Sequence, residues 1–225
     1  EEAQELVLKT ATEFKTEKIG LDHTYGRVLA EDILADRDFP PFDRVTKDGI
    51  AISFAAYEKG ARAFKIEGIA AAGNPRLALQ NPENCLEVMT GAMLPKDTDT
   101  VVMYEHLEIH QGVATIKKSV TKGQNIHRKG SDEPMGAVLL KKGHKIEAPE
   151  IGVLASVGKF RVEVKKLPAI TVVSTGNELV NVDEQPLPHQ IRKSNSFSLK
   201  AALKVEGLNC NLLHINDNES EIQKA

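Results

Sequence analysis

The chain of 225 residues contains no tryptophan, and aromatic residues make up only 4% of it. Rings on which single-stranded nucleic acid could stack are therefore missing. Charge is nearly balanced, with Lys+Arg 29 against Asp+Glu 32 and a net of -3, so no global positive field recruits nucleic acid or an anionic membrane. No apolar run approaches the length of a membrane span. The two cysteines, Cys85 and Cys210, lie far apart with no CxxC or Cys/His cluster. They read as buried free thiols, and the expected compartment is the cytoplasm. Dinucleotide-binding GxGxxG, P-loop, HExxH and nucleophile-elbow patterns are all missing. His106 and His110 are four residues apart but sit in strand-like sequence, which argues against a metal pair.

What is present is a soluble composition, 41% hydrophobic and 27% charged, enough for more than one core. Leu6, Val7, Ala11 and Phe14 have helical spacing, predicting a short amphipathic helix over residues 3–14. "GRVLAEDILA" fits a helix or a strand equally. The passage "FPPFDRVTKDGIAI", residues 39–52, combines prolines with clustered charge and enters alternating apolar sequence at Asp48-Gly49. From there to about residue 118 the period is two. "IAISFAAY", "AFKIEGIA", "CLEVMTGAM", "TVVMYEHLEI" and "GVATIKKSV" read as strands of a small barrel or sandwich.

"GAVLLKKGHKI" predicts a hairpin turning near Lys142-Gly143. "EAPEIGVLASVG" predicts a helix with Pro149 at its start and Gly158 at its stop. Ala169 to Val173 is a continuous apolar, β-branched run, which predicts a strand buried on both faces. A helix ending at Gly207 and the strand "NCNLLHI" complete a β-loop-α-β unit.

Four turns carry functional groups. They are "KDGIA" with Asp48, "MTGAMLP" with the Thr90 hydroxyl and a free Gly91 N–H, the basic turn "HRKGSDE" with Asp132, and "STGNE" with Glu178. The last follows a buried strand, at the end where α/β sheets bind ligands. Each also has a plainer reading as a turn, a solvated charged loop or a cap. Carboxylates suit a hard cation on a phosphate-bearing substrate, and a basic turn suits an anion.

Taken in order, "YGRVLAEDILADRDFPPFDRVTKDGIAI", "VMTGAMLPKDTDTVVMYE", "GQNIHRKGSDE", "GAVLLKKGHKI", "IGVLASVGKFRVEVKKLPAITVVSTGNELV" and "QIRKSNSFSLKAAL" resemble one family. It is the molybdopterin molybdenumtransferases, the MoeA-type proteins and the gephyrin E domain. The resemblance implies a mixed α and β, multidomain fold. Residues 1–40 plus 135–168 would form an elongated α+β linker domain, and 41–134 an inserted β-barrel-like domain. Residues 169–225 would begin a doubly wound α/β domain. The chain would be the N-terminal region of a longer protein, inactive alone.

The implied reaction inserts molybdate into adenylylated molybdopterin with release of AMP, assisted by a divalent cation such as Mg2+. Molybdate and adenylylated molybdopterin are the substrates, the protein is a homodimer, and neither nucleic acid nor membrane takes part. By resemblance Asp48, Thr90, Asp132 and Glu178 are catalytic, and Asp48 and Glu178 also hold the metal. Ser174, Thr175, Gly176, Ser194 and Asn195 bind the nucleotide-linked cofactor. The sequence departs from the family pattern at Val45-Thr46-Lys47, Ile50, Ser131, Asn177 and Arg192-Lys193. The alternative is therefore a catalytically impaired relative acting as a non-enzymatic dimeric binding or scaffold protein.

Overall fold

A computed structural model describes residues 2–9 and 13–223. Helix α1 (Glu2–Lys9) and strand β1 (Thr16–Gly20) come first, followed by the short strands β2 (Ile33–Leu34) and β3 (Arg44–Val45). Strand β4 (Gly49–Ile52) runs into helix α2 (Phe54–Glu58). Then come β5 (Ala63–Ala70), β6 (Cys85–Val88), β7 (Thr100–Met103), β8 (Leu107–His110) and β9 (Val113–Ile116). After the short β10 (Ile126–His127) and β11 (Val138–Leu140), helix α3 (Ala148–Ser156) precedes β12 (Arg161–Lys165). The last elements are β13 (Ile170–Thr175), β14 (Leu179–Val180), β15 (Ile191–Arg192), α4 (Asn195–Val205), β16 (Cys210–Ile215) and α5 (Glu219–Ile222). Among the described residues no helix is long and apolar enough to cross a membrane. The chain divides into two compact units, residues 1–33 with 140–225, and residues 34–139.

In the unit of residues 34–139, six strands form one sheet in the order β7-β4-β6-β5-β9-β8. Its two edge strands are consecutive in the chain, joined only by the 3-10 turn Tyr104–His106. A flat sheet would hold them about 24 Å apart at the usual spacing. The chain from Met103 to Leu107 reaches at most about 14 Å. The sheet therefore curls.

Period two decides what each face buries. Ile50, Ile52, Phe64, Cys85, Val102 and Ala114 share one core, while Val45, Ala51, Val88, Leu94 and Val101 share another. All four residues of β4 are buried, with β6 on one side and β7 on the other. Burial pushes the Cys85 thiol up to about 12, with help from Glu67 and Glu87.

In the other unit β1 pairs antiparallel with β12. Arg27 joins Glu17 at 2.5 Å and the Lys165 carbonyl at 2.7 Å. Helix α3 opens with a Glu147/Glu150 capping box and Pro149, and Gly158, at φ +70, follows its C-cap Val157. Strands β13 and β16 pair in parallel, connected through α4.

Several local expectations are corrected. "IAISFAAY" is strand only to Ile52, because Asp99 accepts the Phe54 N–H at 2.7 Å and starts α2 there. "GRVLAEDILA" is extended, with bridges Val28–Lys145 and Leu29–Val164 and the strand β2. Residues 137–146 form no hairpin, since β11 pairs with β2 and Lys145 with Val28. Strand β13 alternates rather than being buried on both faces: Thr171, Val173 and Thr175 are exposed, while Val172 and Ser174 are half-buried. Cys210 is half-buried, not buried. Helix α1 ends at Lys9, and Ala11 of the predicted helix lies outside the described residues.

Gly49 has no room for a side chain. A Cβ there would sit 1.9 Å from the Val102 carbonyl oxygen and 2.8 Å from the Met103 Cα. Both obstacles are backbone of the neighbouring strand. Gly49→Ala is expected to cost about 3 kcal/mol or more, by overpacking a strand that cannot move. Urea unfolding should show a lower midpoint with an unchanged slope. An unchanged midpoint would mean that β7 yields freely.

Candidate functional site

Asp48 sits where the chain enters β4, with Thr90 just beyond β6 and Tyr104 just beyond β7. Because β6 and β7 flank β4, the sheet register brings these strand ends together. The Thr90 N–H donates to Asp48 Oδ1 at 2.6 Å, and the Tyr104 N–H donates to the Asp48 carbonyl at 3.1 Å. Asp48 is thus fixed by its side chain and its main chain while its carboxylate remains exposed. The Thr90 N–H, and after it the Thr90 hydroxyl, hold the Asp48 carboxyl below the usual range. The Gly91 N–H is not free as the sequence suggested, since it donates to the Val45 carbonyl at 2.8 Å. The backbone of this turn holds Asp48 and β3, and leaves neither N–H open to an oxyanion.

Sequence reasoning missed Tyr104. Its hydroxyl donates to Glu87 of β6 in a short hydrogen bond. Burial first, then the bond to Glu87 and the charges of Glu87 and Asp48, push the phenol well above its usual range, so it keeps its proton. Only the strand order shows that Glu87 and Tyr104 meet across β4.

Asp132 lies on a separate turn. His127 Nε2 stands 2.7 Å from Asp132 Oδ1, and Arg44 Nη2 stands 3.0 Å from His127 Nδ1. The two cations that follow His127 on this turn are already paired. Arg128 bonds Asp43 at 2.8 Å, and Lys129 Nζ reaches Asp38 at 3.2 Å. Partial burial raises the Asp43 carboxyl, but the Lys129 N–H and the Arg128 guanidinium outweigh it and leave a net lowering. The Met135 N–H and then Lys129 hold Asp38 low in the same way. The expectation of a basic turn open to an anion is therefore corrected for Arg128 and Lys129, which fasten the turn to the proline passage.

Glu178 belongs to the other unit, in the loop after β13. Its carboxylate lies over Gly176, where a Cβ would come within 2.5 Å of Glu178 Oε2, and Gly176 has φ +133. At the carboxyl end of β13 a cavity of about 260 Å³ opens toward the start of α4. Ser174, Thr175, Ser194 and Asn195 line it together with Arg192 and Lys193, and Gly176 adjoins it in the chain. Lys193 Nζ bonds Asn181 Oδ1 at 2.9 Å, and Arg192 Nε bonds the Glu184 carbonyl at 3.0 Å. Both departures from the family pattern are thereby tied to the loop before β15.

As for a metal, Asp48 and Glu178 lie in different units. No group of three or more His, Cys, Asp or Glu side chains suited to a metal ion forms among the described residues. Within either unit these residues do not assemble a cation site.

A family profile described as the MoeA N-terminal region (domain I and II) matches residues 1–158. This chain belongs to the MoeA N-terminal region family. Relatives include the molybdopterin molybdenumtransferase of Synechocystis sp., 40% identical over 223 residues, covering 98% of this chain and 57% of the relative. That of Staphylococcus epidermidis is 33% identical over 224 residues, covering 98% and 54%. The chain thus spans little more than half the length of these relatives. A solved structure of the molybdopterin biosynthesis MoeA protein from Pyrococcus horikoshii OT3 matches with TM-score 0.88 and 31% identity, covering 99% of this chain and 61% of that one. This MoeA-type chain has the mixed α and β fold that its motifs implied.

The lowered Asp48 carboxyl fixes a pH dependence. A carboxyl whose folded value is depressed adds stability above its unfolded value, near about 3.9, and loses it as the pH falls through the lower folded value. Asp48→Asn should therefore lower the urea midpoint above about pH 4 and match the parent in stronger acid. A difference that persists undiminished into strong acid would show that the charge on Asp48 is not what Thr90 holds.

Proposed function

We propose that the complete protein acts in molybdenum cofactor biosynthesis, inserting molybdate into adenylylated molybdopterin with release of AMP. The observation that carries this reading is the cavity at the end of β13 and the start of α4. Hydroxyl and amide groups of Ser174, Thr175, Ser194 and Asn195 converge there with two cations. Such a lining suits the phosphates of a nucleotide-linked pterin. In the complete protein we assign residues 169–225 to holding this ligand, residues 41–134 to presenting Asp48, Thr90 and Asp132, and residues 1–40 with 135–168 to the frame. We further assign a cytoplasmic homodimer. Mg2+ is the divalent cation the resemblance implies. Among the described residues, those of either unit do not by themselves form its site.

In this reading Asp48 and Glu178 are assigned to substrate contact in the complete protein, and Thr90 holds Asp48 in place. Asp48→Ala and Glu178→Ala in the complete protein should each lower AMP release on molybdate addition by roughly a hundredfold. Circular dichroism should be unchanged. Full activity in both variants would remove these residues from the site.

The scaffold reading rests on the departure from the family pattern at Arg192-Lys193, residues that also line the cavity. Complementation of a molybdenumtransferase-deficient strain decides between the two. Rescue by the parent, with no gain from Lys193→Asp, supports the enzyme. Rescue only by Lys193→Asp supports the impaired relative.

A further inference from the structure

We propose that Arg44, His127 and Asp132 form a hydrogen-bonded relay in which His127 is a positioning residue, held as the neutral Nε2–H tautomer, that orients the Asp132 carboxylate. The proposal rests on the reading that places Asp132 in the functional site.

The tautomer follows from the partners. A guanidinium offers only donors. With Arg44 Nη2 at 3.0 Å, His127 Nδ1 must be the acceptor, so the ring proton sits on Nε2. Nε2 then donates to Asp132 Oδ1 at 2.7 Å. An imidazolium would turn a donor toward Arg44 and set two cations face to face.

The backbone builds this arrangement. Arg44 and His127 are opposite partners in the β3–β10 pair, so their side chains project from the same point of the ladder. The chain then turns through Gly130, at φ +69, and the Asp132 N–H donates to the Phe39 carbonyl at 2.9 Å. This returns Asp132 to the ring five residues later. Arg128 and Lys129 are engaged by Asp43 and Asp38, so His127 is the group of this turn that holds Asp132.

The consequence is chemical. A direct Arg–carboxylate fork would engage both oxygens of Asp132. A neutral imidazole engages one, and the Arg44 charge beyond it strengthens that single bond by polarising the ring. Among the described residues no other hydrogen bond reaches the Asp132 side chain, so Oδ2 stays open to a substrate proton or hydroxyl.

Long-range proton–nitrogen NMR of the histidine rings reads the tautomer directly, with His127→Gln assigning the signal. At about pH 8, where an unperturbed imidazole is neutral, the parent should show a single Nε2–H form. Arg44→Leu and Asp132→Ala should each relax it to a mixture. An Nδ1–H form, or a mixture in the parent, overturns the relay.

Activity of the complete protein supplies the second arm. His127→Gln, which keeps an N–H donor, should stay within about threefold of the parent, while His127→Ala should lose roughly tenfold or more in kcat with KM little changed. Full activity in His127→Ala beside an inactive Asp132→Ala overturns the positioning role. Full activity in Asp132→Ala instead removes Asp132 from the site, and the tautomer then still decides the relay.

Discussion

Gly49 to Ile52 lie between β6 and β7 with both faces covered, and the candidate site hangs from that placement. Ile50 and Ile52 point into one core and Ala51 into the other. A one-residue slip would exchange the two sets and bring Ile50 into the space that fits Ala51. Gly49 adds a second lock, because the Val102 carbonyl occupies the place of its Cβ. With the register fixed, Asp48 has one position, and the ends of β6 and β7 supply the Thr90 and Tyr104 N–H groups that hold it. A carboxylate held this way keeps its geometry in water without being buried, which is the preorganisation a substrate-facing acid needs.

Charge around the proline passage has a structural role beside any chemical one. Asp38 and Asp43 flank Pro40 and Pro41, and their partners are Lys129 and Arg128 on the turn that carries Asp132. The Phe39 carbonyl accepts the Asp132 and Glu133 N–H groups. Exposed pairs of this kind are each worth little. Their effect here is to fix which way the turn faces, so that His127 rather than a lysine or arginine meets Asp132.

The sequence revealed the pieces better than their meetings. Period-two alternation located most strands of the curled sheet, and Pro149 and Gly158 marked the ends of α3. Asp48-Gly49 and Thr90-Gly91 stood out as turns because of their residue types. What stayed hidden was long-range. The order β7-β4-β6 sets Tyr104 beside Glu87, and nothing local to either residue signals it. The start of α2 depends on Asp99, 45 residues away. Ala169 to Val173 reads as doubly buried because apolar, β-branched composition reports propensity, not cover. In this chain α4 packs beside β13 and β16, and Val173 and Leu213 remain exposed.

Asp48 is held by backbone N–H groups at the ends of strands whose register is locked. Amide hydrogen exchange reads this hold residue by residue. The Thr90 amide lies on an exposed turn, where solvent access alone would let it exchange at loop rates. If its bond to Asp48 belongs to the β4 scaffold, the Thr90 and Tyr104 amides should exchange as slowly as those of Ile50 and Ile52, and Asp48→Ala should release Thr90 alone. Rapid exchange of Thr90 in the parent protein would mean that the strand scaffold does not hold Asp48.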